Sequence, residues 1–169
     1  MIDRFEVTRT IPAPAAEIFA VLCDPNGHVS IDASGSLMSA IEAKPVRAVG
    51  DRFDLRMDRE AIGDLPMGRY EVTVVITGYE QDREIAWTVT GEAVDVPLNH
   101  FYGYTLRPAD GGTVVTSWYD WSQVPAIWHG REMFGGVIRF PVVPAATLRA
   151  TLAILERTVM HKQQGLPRE

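Results

Sequence analysis

The residues with most chemistry to offer are His100, Tyr102, Tyr104, Ser117, Tyr119 and Trp121. The two stretches that carry them alternate apolar and polar side chains, and Pro108-Ala109-Asp110-Gly111-Gly112-Thr113 between them has the composition of a hairpin turn. With Pro108 facing Thr113 across a four-residue loop, Leu106 pairs with Val115, Tyr104 with Ser117, Tyr102 with Tyr119 and His100 with Trp121. That register gathers the aromatic and polar side chains on one sheet face. A histidine there can take or give a proton near pH 7, and a tyrosine hydroxyl can orient or protonate a carbonyl. His100, Tyr102 and Tyr104 are therefore the candidate catalytic groups. The plainer alternative is a packed core whose tyrosine and tryptophan tips find hydrogen-bond partners. On the opposite face Trp118 falls across from Gly103, where an indole can cover bare backbone.

A second pair is His28 and Asp32. If that segment is helical the two share a face, and a carboxylate can orient an imidazole; the alternative is a turn in which Asp32 or Ser34 caps the backbone. Arg56 and Arg139 could meet an acidic head group, although exposed arginines are common. His129 and His161 have no nearby partners and are expected on the surface. No metal site is expected, because no His-x-His or His-Glu-x-x-His spacing occurs. The glycine pairs 111–112 and 135–136 lack the strand-to-helix setting of a phosphate loop. No Gly-x-Ser-x-Gly elbow is present, and the single cysteine, Cys23, reads as a small buried apolar residue.

The elements that must position these groups can be read from periodicity. Residues 5–11 alternate as a half-buried strand ended by Pro12 and Pro14. Pro14 suits the first turn of a helix containing Ile18, Phe19, Val21 and Leu22, and Asp24-Pro25-Asn26-Gly27 stops it. A short helix or turn follows over His28–Ser34. Strand patterns then come at Phe53-x-Leu55-x-Met57, over Tyr70–Tyr79, and at Ile85-x-Trp87-x-Val89, before the hairpin. A helical turn is expected over Ile127–Arg131. From Pro144 a long helix carries Leu148, Leu152, Leu155 and Val159 as one apolar stripe. The order β-α-α-β6-α predicts an α+β fold in which about seven antiparallel strands are covered by the last helix. A sheet curved around one helix need not fill its concavity, so a cavity is expected between them.

Composition narrows the partners. The chain has 16 Lys and Arg against 22 Asp and Glu, a formal charge of −6, which disfavours nucleic acid and anionic membrane surfaces. No stretch approaches the roughly 20 apolar residues of a membrane span, so no stable membrane insertion is expected, and a cytoplasmic location is the default. The length of 169 residues fits a single domain over 1–163 with a tail at 164–169.

The run Ile11-Pro12-Ala13-Pro14-Ala15-Ala16-Glu17-Ile18-Phe19-Ala20-Val21-Leu22, followed by Asp24-Pro25, resembles the opening of the START/Bet v 1-like (SRPBCC) superfamily, nearest to its bacterial polyketide cyclase/dehydrase and lipid-transport group. Val49-Gly50-Asp51-Arg52-Phe53 is similar to that group's third strand. Tyr102-x-Tyr104-x-Leu106-x-Pro108 and Gly111-Gly112-Thr113-x-Val115-Thr116 are similar to its penultimate hairpin. Ile31 stands where many relatives have tryptophan; Ile31-Asp32-Ala33-Ser34-Gly35 resembles a bacterial subgroup of unassigned role. The resemblance implies the helix-grip fold, a curved sheet wrapped around a long C-terminal helix with a cavity between.

The expected cavity wall is Phe53, Leu55, Met57, Val74, Ile85, Trp87, His100, Tyr102, Tyr104, Ser117, Tyr119, Trp121, Leu148 and Leu152, with His28, Asp32, Phe134 and Ile138 at its mouth. The apolar segment 126–143 is a lid hinged at Gly135-Gly136, a seal on the sheet's open end, or a dimer contact. Three functions remain open. One is a carrier of a small hydrophobic ligand such as a lipid, polyketide or isoprenoid. Another is a polyketide cyclase or dehydratase using His100 or a tyrosine. The third is a protein-interaction module with a vestigial cavity. The first is favoured, with no cofactor and a monomeric or homodimeric state.

Overall fold

Alternation sets the strands, and proline and glycine punctuate them. The computed structural model describes residues 2–165. The chain runs β1 (Arg4–Ile11), α1 (Ala15–Cys23), α2 (Pro25–Ile31), β2 (Leu37–Ile41), β3 (Arg52–Asp58), β4 (Arg69–Glu80), β5 (Glu84–Thr90), β6 (Phe101–Ala109), β7 (Gly112–Asp120), a short β8 (Glu132–Met133) and β9 (Gly136–Val137), and α3 (Ala145–Gln164). Single 3-10 turns cover Arg59–Ala61 and Ala126–Trp128. The second helix starts three residues earlier than the sequence pattern implied. Pro25 occupies its first turn and the Asp24 carboxylate accepts the Asn26 N–H at 2.9 Å, which together favour a start there. Of the expected tail 164–169, Gln164 closes α3 and Gly165 caps it; residues 166–169 lie outside the described residues.

Seven strands form one antiparallel sheet in the order β1-β7-β6-β5-β4-β3-β2. Neighbours in sequence pair as hairpins, except that β1 returns to the far edge beside β7. The β6–β7 ladder has the expected register, with Tyr104 opposite Ser117 and Tyr102 opposite Tyr119. It continues one pair further than expected, to Ala109 and Gly112, so the loop is two residues, Asp110 and Gly111. Gly111 takes a φ of 77°, open to glycine at little cost, and this is what closes so tight a turn. At the other end the ladder stops at Phe101 and Asp120, so His100 and Trp121 are not a paired couple.

The inner face buries Phe53, Leu55, Val74, Ile76, Ile85, Tyr104, Leu106, Val115 and Tyr119. The predicted stripe of α3 is buried as Leu148, Leu152, Leu155 and Val159. Fully burying a leucine contributes roughly 1.5–3 kcal/mol, so this stripe is a main tie between helix and sheet. At the rim, Arg9 of β1 donates to Glu156 of α3 at 2.7 Å; being partly exposed to solvent, this pair adds only modestly. A register shift in β4 between Ile76 and Gly78 marks a bulge of the kind that bends a sheet. The β5–β6 ladder covers only Glu84–Trp87 against Tyr102–Thr105, and beyond it Thr88 Oγ1 donates to the His100 carbonyl at 2.7 Å.

Candidate functional site

Where α3 and the sheet do not touch, a cavity of about 890 Å³ remains. Outer-face residues Asp54, Glu71, Thr73, Gly103 and Trp118 also border this void, so its volume extends beyond the enclosed interior. Apolar side chains dominate its inner wall: Leu55, Met57, Val72, Val74 and Trp87 from the strands, Leu148 from α3, and Leu65, Met67, Ile138, Val142 and Val143 from the flanking loops.

Of the residues the sequence assigned to the wall, Leu55, Met57, Val74, Trp87, His100, Tyr102, Tyr104, Ser117 and Leu148 border the cavity. Phe53, Ile85, Tyr119, Trp121 and Leu152 do not; they are buried in the packed core. They share the inner phase of their elements, but the layers meet over them and leave no space. His28, Asp32, Phe134 and Ile138 also border the void. His28 differs from a mouth residue in being buried, with its ring edge-on to Phe53 and Trp87. Phe134 is 53% exposed and takes a φ of 51° beside Gly135 at 80°, at the tip of the β8–β9 hairpin. Arg56 and Arg139 are exposed and do not border the cavity; Arg56 instead lies 3.7 Å from Glu71. His129 and His161 are on the surface and Cys23 is buried.

The proposed His28–Asp32 couple does not form. His28 Nε2 donates to the Leu22 carbonyl at 2.7 Å. Asp32 instead accepts from the Ser34 N–H, the Ser34 hydroxyl and the Leu37 N–H, bracing the turn into β2. The turn alternative is the one the geometry favours, because three local donors outcompete one distant imidazole. Burial pushes His28 down to about 4, with the Leu22 and Asp24 contacts opposing.

His100 lies just before β6. Its Nδ1 is 2.8 Å from the Tyr119 hydroxyl. Its Nε2 is the one buried side-chain polar atom among the described residues with no hydrogen-bond partner. Such an orphan costs roughly 1–3 kcal/mol. Burial, helped by the charge of Arg59, lowers His100 to about 4, so the ring is neutral near pH 7. Burial also raises the Tyr102 and Tyr104 phenols well above their usual range. Trp87, Tyr102 and Tyr119 stack in sequence, at 5.7 Å and then 4.4 Å between centroids.

Sequence reasoning missed Arg59. It borders the cavity from the turn after β3, and burial is outweighed by its partners: Nε and Nη2 donate to the two Asp64 oxygens at 2.7 and 2.6 Å, and Nη1 donates to the Tyr70 hydroxyl at 3.2 Å. Its pKa is raised, and Asp64 is lowered despite burial. The available signal was a basic residue directly after a strand with an acid five positions on. Among the described residues no cluster of three metal-ligating side chains occurs, and no helix is long and apolar enough to cross a membrane.

A seven-stranded antiparallel sheet wrapped on a C-terminal helix around a void defines the helix-grip class. The chain belongs to the polyketide cyclase/dehydrase and lipid transport family, whose model matches residues 3–159. It is 29% identical over 146 residues to the uncharacterized protein Rv0088 of Mycobacterium tuberculosis, covering 86% of this chain and 59% of that one. The chain thus spans a little under three-fifths of the length of that relative. Among solved structures, it is similar in fold to protein CV1439 of Chromobacterium violaceum, with a TM-score of 0.64, 13% identity, and 94% of this chain and 98% of that one covered. An AHSA1-like protein from Aeromonas hydrophila matches with a TM-score of 0.60 and 13% identity over 98% of both chains. At these identities the likeness concerns the fold.

Proposed function

We propose that this chain binds a small hydrophobic ligand, of lipid, polyketide or isoprenoid kind, in the cavity under α3 without altering it chemically. The observation that carries this is the cavity itself: the part of the roughly 890 Å³ void that lies under α3 is bordered mainly by aliphatic and aromatic side chains, as small-molecule sites are. The family's description as a lipid-transport as well as a cyclase group supports it. The acid-base equipment favours binding over catalysis. An efficient general base has a pKa near the working pH, whereas both cavity histidines are held near 4, and their ring nitrogens bond the Leu22 carbonyl and the Tyr119 hydroxyl, not a carboxylate. The open void counts against an interaction module with a vestigial cavity.

The test is a fluorescence titration with uncharged N-phenyl-1-naphthylamine. Saturable enhancement is expected, and Met57→Trp, which fills the cavity from β3, should weaken it at least severalfold. Absence of saturable uptake by the wild-type protein, together with no ligand in native mass spectra of protein from its own host, would overturn the reading. A cyclase or dehydratase would instead lose turnover of a polyketide-like substrate in His100→Ala and Tyr102→Phe with binding retained.

A further inference from the structure

Polar side chains border the cavity at several points, His28, Asp32, Ser36 and Ser117 among them, but the largely buried cation there is Arg59. Arg59, Tyr70, His100 and Tyr102 all border the cavity. Arg59 bonds Tyr70, His100 bonds Tyr119 and meets Tyr102 edge-on, and the charge of Arg59 reaches His100, Tyr102 and Tyr119. A guanidinium carries five N–H donors. Three are used here, two on Asp64 and one on the Tyr70 hydroxyl. Nη1 and Nη2 each keep one N–H beyond these bonds, on a side chain that is only 13% exposed. His100, which the charge of Arg59 reaches, has a buried Nε2 with no partner. Unmet N–H donors on a largely buried guanidinium, in a cavity with a mainly apolar wall, are what a ligand with one polar end would satisfy.

The charge balance decides which polar group. Asp64 meets Arg59 through both oxygens, so the pair is neutral as a unit. An uncharged oxygen can accept the spare N–H groups and leave that balance intact. A carboxylate would put a second negative charge beside one guanidinium in a poorly hydrated site, which is unfavourable without another cation. His100 stays neutral well below pH 7, and Arg69, which also borders the void, is 80% exposed and paired with Asp58, so neither supplies one.

We infer that the Arg59 end of the cavity recognises the oxygen of an uncharged carbonyl- or hydroxyl-bearing ligand, with the Arg59–Asp64 pair acting as a charge-neutral donor that selects against acids. This deepens the proposed binding function and rests on it.

The experiment is displacement of N-phenyl-1-naphthylamine by 2-acetylnaphthalene, 2-isopropylnaphthalene and 2-naphthoate at pH 7.5. The ketone and the hydrocarbon have the same number of heavy atoms, so the ratio of their affinities isolates the oxygen. Arg59→Met, which keeps an apolar stem, should lower the ketone-to-hydrocarbon ratio about tenfold. Asp64→Asn, which keeps Arg59 but removes its counter-charge, should raise naphthoate affinity about tenfold relative to the ketone. A ratio unchanged in Arg59→Met would overturn the inference, as would wild-type protein preferring naphthoate to the ketone. If Arg59→Met does not fold, the Asp64→Asn comparison decides, and an unchanged naphthoate preference there overturns it. Failure of N-phenyl-1-naphthylamine to bind at all would instead defeat the cavity-binding function. Binding of the hydrocarbon and the ketone with a ratio indifferent to Arg59 would leave that function standing.

Discussion

His100 Nδ1 lies 2.8 Å from the Tyr119 hydroxyl while Nε2 of the same ring has no partner. One nitrogen is tied to the core and the other is unmet, in a residue that borders the cavity. Tyr119 is fully buried and does not border the void, so it holds the ring from behind.

The two buried histidines predict acid sensitivity. In an unfolded chain each titrates near its ordinary 6.5, whereas in the fold each is held to about 4. Between those values the unfolded state binds more protons. Their contribution to stability is therefore complete above about pH 6.5 and is lost as pH falls toward 4, by about 3 kcal/mol per histidine at the lower end. Urea midpoints measured from pH 7.5 to 4 should fall with decreasing pH, and His28→Phe or His100→Phe should flatten that slope.

Asp32 braces a turn and does not orient His28. Asp32→Ala should lower stability by about 1–2 kcal/mol through the loss of its bonds to Ser34 and Leu37. The NMR titration of His28 in that variant should match wild type.

Leu155 and Leu148 occupy the same stripe of α3 with different surroundings. Leu155 has no exposed surface and packs in the core, whereas Leu148 borders the cavity. Leu155→Ala should cost about 2–5 kcal/mol in a denaturant titration. Leu148→Ala should cost clearly less, because space already lies on one side of it, and should enlarge the void.

Gly103 leaves no room for a side chain. A Cβ there would stand 2.3 Å from Trp118 Cζ2. Gly103→Ala must displace the indole, which also stacks under the Arg4 guanidinium at 4.4 Å. A loss of about 1–3 kcal/mol is expected, with a red-shifted tryptophan emission as the spectroscopic check.

Cys23 should be unreactive. Burial, reinforced by the charge of Asp82, pushes its thiol up to about 12, so almost no thiolate exists near neutrality. Ellman's reagent should modify it only at the rate of unfolding; rapid labelling of native protein would contradict its placement.

By itself the sequence determined whatever depends on near neighbours along the chain. The alternation on both sides of the Asp110-Gly111 turn specified the β6–β7 register, because a one-residue slip would turn Tyr102, Tyr104 and Ser117 to the wrong face. The spacing of Leu148, Leu152, Leu155 and Val159 specified the buried face of α3. Tertiary structure alone decided which inward residues meet space and which meet protein. Leu55 and Phe53 are in phase on β3, yet the cavity reaches only Leu55. That difference depends on how far the curved sheet stands from α3 at each point, and periodicity carries no such distance. The partner of His28 is of the same kind: the Leu22 carbonyl, freed at the end of α1, lies closer than the carboxylate one helical turn away. Arg59 joins the site because β3 ends where the cavity opens, a fact of the assembled sheet that no local spacing encodes.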